Sequence, residues 1–337
     1  MTRKMKIVTG IIVAALIGGG YGWKLHKDSE AASAAAGDDD TVAVAPVGPQ
    51  FNADSAYAFT AAQCSFGPRT MNSTAHDNCE KWIISKFKSY GLEVKTQKAD
   101  LKGIDGEVFH STNIIASYNP KAATRILVSA HWDSRPWADN DPDSTKHNEP
   151  VMAANDGASG VAVMLELARV LSADKKLSKD IGVDFVCFDA EDSGKDGDDD
   201  SWALGAQYFA AHQPEGLSWN YGILLDMVGG EGAQFYEEQM SSQFAPDIVT
   251  KVWNAAAAAG YSSYFPTAAG GAVTDDHIPL NKAGIPTVDI IPFYRDLPDN
   301  SFGPTWHTTS DTMEHIDKNT LKAVGQTVVQ VLYSEQR

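Results

Sequence analysis

The segment FDAED at 188–192 closes the apolar run IGVDFVC with two adjacent carboxylates, Glu191 and Asp192. Side by side at the end of a buried strand, such acids repel each other and lose hydration, a cost that a bound cation offsets. Successive residues of an extended chain point opposite ways. One acid can therefore ligate the cation while the other faces a substrate and moves protons. His131 and Asp133 close a second apolar run, RILVSAHWD, and Asp226 lies in a third, YGILLDMVG. NDGASG (155–160) puts Asp156 just before a glycine-led helix, and WHTTSD (306–311) puts His307 in a loop after the last strand. Histidines and carboxylates without a thiolate suit Zn²⁺ in a hydrolytic or acyl-transfer site. Taken singly, each residue has a plainer reading. Asp156 would be a helix N-cap, His307 a packed histidine, Asp226 an ion-pair partner, and Glu191–Asp192 part of the solvated loop DSGKDGDDD. For Asp196 to Asp200 that solvated loop is the default, with calcium binding as the alternative. What sets the metal reading above these is the gathering of the whole set at one sheet edge.

The elements that would gather it alternate. STAHDNCEKWIISKFKSY (73–90) reads as a helix stopped by Gly91, followed by strands over 92–101, 112–118 and 125–133. Val161, Met164, Leu165, Ala168 and Leu171 recur at helical spacing within 157–172. Further strands are expected over 181–189, 221–229 and 284–293, and further helices over 203–212, 245–259 and 317–334. The later strands are continuous apolar runs, as in a mainly parallel sheet covered by helices on both faces. The fold class is thus α/β: a single globular domain over 51–337 with a mixed, mostly parallel central sheet flanked by helices. Ligands of such sheets bind beyond the carboxyl ends of the strands, where the polar residues named above stand.

The chain ahead of that domain reads differently. Arg3, Lys4 and Lys6 precede an uncharged run, Ile7 to Trp23, as in a signal anchor or signal peptide. The flanking charge predicts export, with the domain on the periplasmic face, anchored to the inner membrane if the segment is uncleaved or secreted if it is cut. Residues 24–50, small, polar and proline-containing, read as a disordered linker. The 337-residue chain carries 27 basic and 44 acidic residues, a formal net charge of −17, which argues against nucleic acid as a partner. Cys187 reads as a buried thiol, and a Cys64–Cys79 disulfide is left open. No GxSxG, P-loop or GxGxxG after a strand occurs, so serine-hydrolase and nucleotide roles lack support.

HWDSR (131–135), NDGASG (155–160), FDAED (188–192), LLDMVG (224–229), DDHIP (275–279) and WHT (306–308) stand in the order seen in the M28 zinc-peptidase superfamily, which the chain resembles over about 60–335. Within it the chain is similar to the glutaminyl cyclases, above all bacterial members carrying SRPWADNDPD (134–143). The resemblance implies a zinc-aminopeptidase-like α/β/α sandwich and one Zn²⁺ per chain, held by Asp156, Asp192 and His307. It implies conversion of an N-terminal glutamine of peptides or proteins to pyroglutamate with release of ammonia. Glu191 would be the proton shuttle, with Asp226 and Asp275 as acids hydrogen-bonding to it, and Trp306, Phe302 and Trp202 would wall the substrate pocket. His131 would either bind a second metal or, like Asp133, support the site from behind. The dizinc aminopeptidases of the same superfamily are the alternative, because His131, Asp156, Asp192, Asp226 and His307 supply their five ligand types too. Trp306 before the ligand histidine, Asp275 where aminopeptidases resemble SDH, and Phe302 favour the cyclase. Animal cyclases resemble Glu–Glu at the paired acids, whereas this chain has Glu191–Asp192. A catalytically silent binding domain on the same fold would predict broken ligands, and none is broken.

Overall fold

The computed structural model describes residues 45–297 and 302–335. Among them, six strands form one sheet: β1 (Glu93–Lys102), β2 (Val108–Tyr118), β3 (Thr124–His131), β4 (Ile181–Phe188), β5 (Tyr221–Leu225) and β6 (Thr287–Ile290). Their order is β1-β2-β4-β3-β5-β6. β2 pairs antiparallel with both β1 and β4, while β4, β3, β5 and β6 run parallel. The carboxyl ends of four neighbouring strands therefore open on one edge, where each loop that follows can deliver a side chain.

Alternation along the strands explains why both faces need cover. Ile114, Ala116, Ile126 and Val128 pack into one apolar cluster, and Ile115, Leu127, Val186 and Phe188 into another on the opposite face. All eight residues of β4 are buried, as a strand between two helical layers requires. The first face is covered by α2 (Thr74–Ser89), α3 (Ala158–Asp174), α6 (Pro246–Ala258) and α8 (Lys318–Ser334). The second is covered by α4 (Leu204–Ala211) and α7 (His277–Lys282), and α5 (Gln239–Phe244) packs between α6 and α7. Spacing predicts an amphipathic α3, yet its residues from Ala158 to Ala168 are all buried. Its outer side is covered by α1 (Ala53–Cys64), a helix that periodicity does not reveal. The sequence of α1, ADSAYAFTAAQC, carries almost no apolar stripe, and it is fixed instead by a cap and one buried amide. Asn52 accepts from the Asp54 and Ser55 amides, and Gln63 donates to the Ala158 carbonyl at 2.9 Å.

Residues 45–50, the end of the segment read as a linker, run along α8. The Val47 amide donates to Gln330 Oε1 at 2.7 Å, and Gln326 donates to the Pro49 carbonyl at 3.1 Å. The apolar segment Ile7 to Trp23 lies outside the described residues, and among the described residues no helix is long and apolar enough to cross a membrane. Cys64, Cys79 and Cys187 are free thiols, so the pairing left open for the first two is not formed. Burial pushes the Cys79 thiol up to about 12.

Candidate active site

The strands end earlier than their apolar runs, and the departure builds the site. β5 stops at Leu225, so Asp226 falls in a turn whose next residue, Met227, takes a left-handed φ of 49°. β4 stops at Phe188, and Ala190 turns the chain with φ 54° before Glu191 and Asp192. The paired acids therefore sit in a loop, and strand alternation is not what separates them. Asp133 does that work instead. Its Oδ1 accepts from the Glu191 amide and its Oδ2 from the Asp192 amide, both at 3.1 Å. His307 is left-handed as well, with φ 55°. Non-glycine residues in this region cost on the order of 1–3 kcal/mol and gather at functional sites; here Ala190, Met227 and His307 all stand at the one edge.

Asp156 does not cap α3. The N-cap is Gly157, with no side-chain cap bond, and the Asp156 carboxylate turns toward histidines instead. Its backbone is held by Asp311, whose two oxygens accept from the Asn155 and Asp156 amides at 2.8 and 3.0 Å. Burial lifts Asp311 to about 6. Ser159 donates to the Asn155 carbonyl at 2.6 Å and accepts from the Val228 amide at 3.0 Å, which ties this segment to the Asp226 turn. Gly157 has φ 93°, and a Cβ there would stand 2.9 Å from both the Asp133 carbonyl oxygen and His131 Cε1. We expect Gly157→Ala to destabilise the fold by roughly 1–3 kcal/mol, read as a drop in the midpoint of thermal unfolding.

Two sets of buried donors share Asp156. Asp156, Asp192 and His307 form one, with His307 Nε2 at 3.2 Å from Asp192 Oδ1 and 3.7 Å from Asp156 Oδ2. His131, Asp156 and Asp226 form the other, with His131 Nε2 at 2.9 Å from Asp156 Oδ1 and 3.2 Å from Asp226 Oδ1. Ligand atoms about 2.0–2.1 Å from a tetrahedral zinc lie roughly 3.3 Å apart. The first set has that spacing, and Asp192 Oδ2 is buried with no hydrogen-bond partner among the described residues. The second set, at 2.9 and 3.2 Å, overlaps it and also has metal-ligand spacing. Burial would lower the His131 imidazole, but the carboxylates of Asp133, Asp156 and Asp226 hold it well above its ordinary value. Burial, helped by the charge of Asp192, raises Asp156 to about 7. Burial would also raise Asp192, but His307 and then Arg135 outweigh it and hold that carboxyl below the usual range.

A cavity of about 210 Å³ opens on this edge. Glu191, Asp226 and Asp275 line it together with the donors Asp156, Asp192 and His307. Its aromatic walls are Trp202, Phe302 and Trp306, the same three residues that the resemblance places there. Trp306 packs on His307 with centroids 4.0 Å apart, Phe302 meets Trp306 edge-on at 4.8 Å, and Trp202 lies parallel to His307 at 6.0 Å. Trp132 is instead a core residue stacked on His76. Asp196 and Asp199 reach the mouth of the cavity, although the loop Lys195 to Asp200 is exposed. Burial, with the Asp275, Asp192 and Asp276 charges adding to it, raises Glu191 well above the carboxylate range despite nearby His131. Burial and Asp226 raise Asp275 to about 7.

The family enters from this geometry. A model of peptidase family M28 matches residues 113–332. The chain belongs to that family. Among solved structures, the glutaminyl cyclase of Bacteroides thetaiotaomicron bound to N-acetylhistamine superposes with a TM-score of 0.82 at 46% identity, covering 85% of this chain and 99% of that one. The glutaminyl cyclase of Porphyromonas gingivalis gives 0.81 at 47% identity, with the same coverage. The aminopeptidase YwaD of Bacillus subtilis is 30% identical over 235 residues, 66% of this chain. This chain spans only 44% of that protein's length.

This M28 site also contains residues whose part the motifs do not explain. Behind Asp275, His277 lies between Glu238, 3.2 Å from Nε2, and Asp289, 3.7 Å from Nδ1. Asp275, His277 and Asp289 form a third group with metal-ligand spacing. Within DDHIP the resemblance marks the first aspartate alone, and Glu238 and Asp289 stand in segments with no motif to mark them. Asp311 closes WHTTSD, but only the fold reveals that it reaches the Asp156 backbone.

Proposed function

We propose that this protein is a zinc-dependent glutaminyl-peptide cyclotransferase, acting on peptides or proteins that begin with glutamine. The observation that carries the reading is the cavity walled by Trp202, Phe302 and Trp306 and lined by Glu191 and the donors Asp156, Asp192 and His307. Both donor sets have metal-ligand spacing, but the aromatic rings of Trp306 and Trp202 pack against His307, which favours the set of Asp156, Asp192 and His307 as the seat of one catalytic cation. A one-cation site with an aromatic-walled cavity suits ring closure within a single side chain, and the similarity to bacterial glutaminyl cyclases supports the same choice.

An N-terminal glutamine carries its own nucleophile, the α-amine, a few bonds from its γ-amide carbon, so positioning supplies much of the rate. Trp306, Phe302 and Trp202 enclose the side chain and exclude water. Asp156, Asp192 and His307 would hold a zinc ion, which when bound would supply Lewis-acid polarisation of the γ-carbonyl. Glu191 takes a proton from the α-amine as the new C–N bond forms, then gives it to the amide nitrogen as the old C–N bond breaks and ammonia leaves. Asp226 and Asp275 line the same cavity, and the resemblance gives them the role of holding the Glu191 carboxyl. Asp133 fixes its backbone.

The test pairs product analysis with metal content on the purified protein. Incubated with a Gln-Xaa peptide, it should yield the intact chain lighter by one ammonia, with one zinc bound per chain. Release of a free amino acid with two zincs bound would make it an aminopeptidase and overturn the assignment.

A further inference from the structure

SRPWADNDPD (134–143) takes no part in the mechanism above, yet its second residue is a deeply buried charge. Arg135 is 1% exposed. Its Nε donates to Asp139 Oδ1 at 2.7 Å and its Nη2 to Asp139 Oδ2 at 2.5 Å, a two-point fork. Its remaining nitrogen, Nη1, reaches the backbone carbonyl and the carboxylate of Asp192 at 3.3 Å each, and the Gly194 carbonyl at 3.4 Å. The guanidinium stands over two indoles, 5.1 Å from the Trp137 ring and 4.9 Å from that of Trp202. A Cβ on Gly194 would collide with the Trp202 ring. The Trp202 indole is thus clasped between an arginine and a bare backbone.

The same motif holds the His307 loop. Asp139 Oδ1 lies at ion-pair distance, 3.7 Å, from His307 Nδ1, on the side of the ring away from Nε2, which faces Asp192 at 3.2 Å. The Asn140 amide donates to the His307 carbonyl at 3.1 Å, and Asp141 accepts from the Thr309 amide and hydroxyl. A ligand histidine is commonly oriented by an acceptor on its other nitrogen, and loss of such a partner costs roughly 10–100-fold in metal affinity.

We propose that Arg135 and Asp139 act as one positioning brace, setting the separation of Asp192 and His307 for the cation while holding Trp202 as a pocket wall. This rests on the reading of those two residues as metal ligands. Lysine cannot replace arginine here, because it offers neither the planar fork to Asp139 nor stacking over two rings. Asp139 is partly exposed, so its variant leaves the core intact.

The experiment uses the full chain as Arg135→Lys, Asp139→Asn and the double variant, with Asp192→Asn as reference. Zinc affinity is read by competition with a chromogenic chelator, and steady-state constants with a Gln-peptide. Both single variants should lose roughly 10–100-fold in zinc affinity, and the double variant no more than the worse single, since the fork between the two residues makes them one unit. At saturating zinc, Arg135→Lys should still raise KM through a loosened Trp202, whereas Asp139→Asn should not. Zinc affinities close to wild type in both singles, or losses that add in the double variant, overturn the brace. Asp192→Asn separates the two readings: if it too binds zinc normally, the ligand assignment has failed rather than the brace.

Discussion

Glu191→Gln should lower kcat by roughly 10²–10⁴-fold, the share of rate that a positioned acid–base group supplies, with KM and bound zinc little changed. The substitution alters little else. Glutamine keeps the length and volume of the side chain, and the Glu191 amide remains bonded to Asp133. Only the capacity to accept and return a proton goes. Burial and the Asp275, Asp192 and Asp276 charges drive the carboxyl toward its protonated form, while a cation on neighbouring Asp192 pulls it back. These opposing influences act on the one carboxyl that must both accept and return a proton. Measurement of kcat with metal counted on the same preparation decides the matter. A fall well short of that range, or a loss of zinc in parallel with activity, would remove Glu191 from the proton-transfer role.

Much of this site was legible because its signals are local. His131, Glu191 and Asp226 stand at or just beyond the ends of apolar runs, and apolar runs in a parallel sheet are long enough to be recognised without tertiary context. NDGASG and WHT announce themselves by composition. Hidden were the features that depend on two segments meeting. Helix α1 has no stripe to betray it, because it packs through small residues and one glutamine against the start of α3. The paired acids read as alternating strand residues, whereas a left-handed Ala190 and the Asp133 carboxylate separate them. Arg135 stands inside a recognisable motif, yet nothing in SRPWADNDPD says that its guanidinium reaches 57 residues along the chain to Asp192. The resemblance places Trp202 in the pocket wall, but its hold by Arg135 and the bare backbone of Gly194 emerges only from the fold. Apolar spacing can be read along one segment, but polar reach between segments has no period.

Asp156→Asn should do two opposite things, and the combination distinguishes a metal ligand from a structural acid. Asp156 belongs to both donor sets, so its loss should abolish stoichiometric zinc binding and with it turnover. The metal-free fold should meanwhile become more stable near pH 8 than metal-free wild type. Burial and the Asp192 charge lift the Asp156 carboxyl from 3.8 to about 7. A carboxyl raised on folding favours the folded state fully only below its unfolded value, and that contribution is lost as pH rises through about 7. Each tenfold change in proton affinity corresponds to about 1.4 kcal/mol, so ionised Asp156 costs the metal-free protein a few kcal/mol near pH 8. Asparagine removes that charge and can still meet His131 Nε2, now 2.9 Å from Oδ1. Stability of the chelator-treated wild type should therefore fall between about pH 4 and 7, and the variant's should fall less. Some slope will persist, because Asp275 at about 7 and Asp311 at about 6 titrate in the same window with the same sign. Zinc should restore wild type near pH 8, since the cation replaces the missing proton, and should leave the variant unmoved. Thermal unfolding of both proteins across that range and on to about pH 8, with and without zinc, reads all of this in one series. A variant as steep in pH as wild type, or one that zinc stabilises equally, would show that Asp156 is neither the strained acid nor the shared ligand.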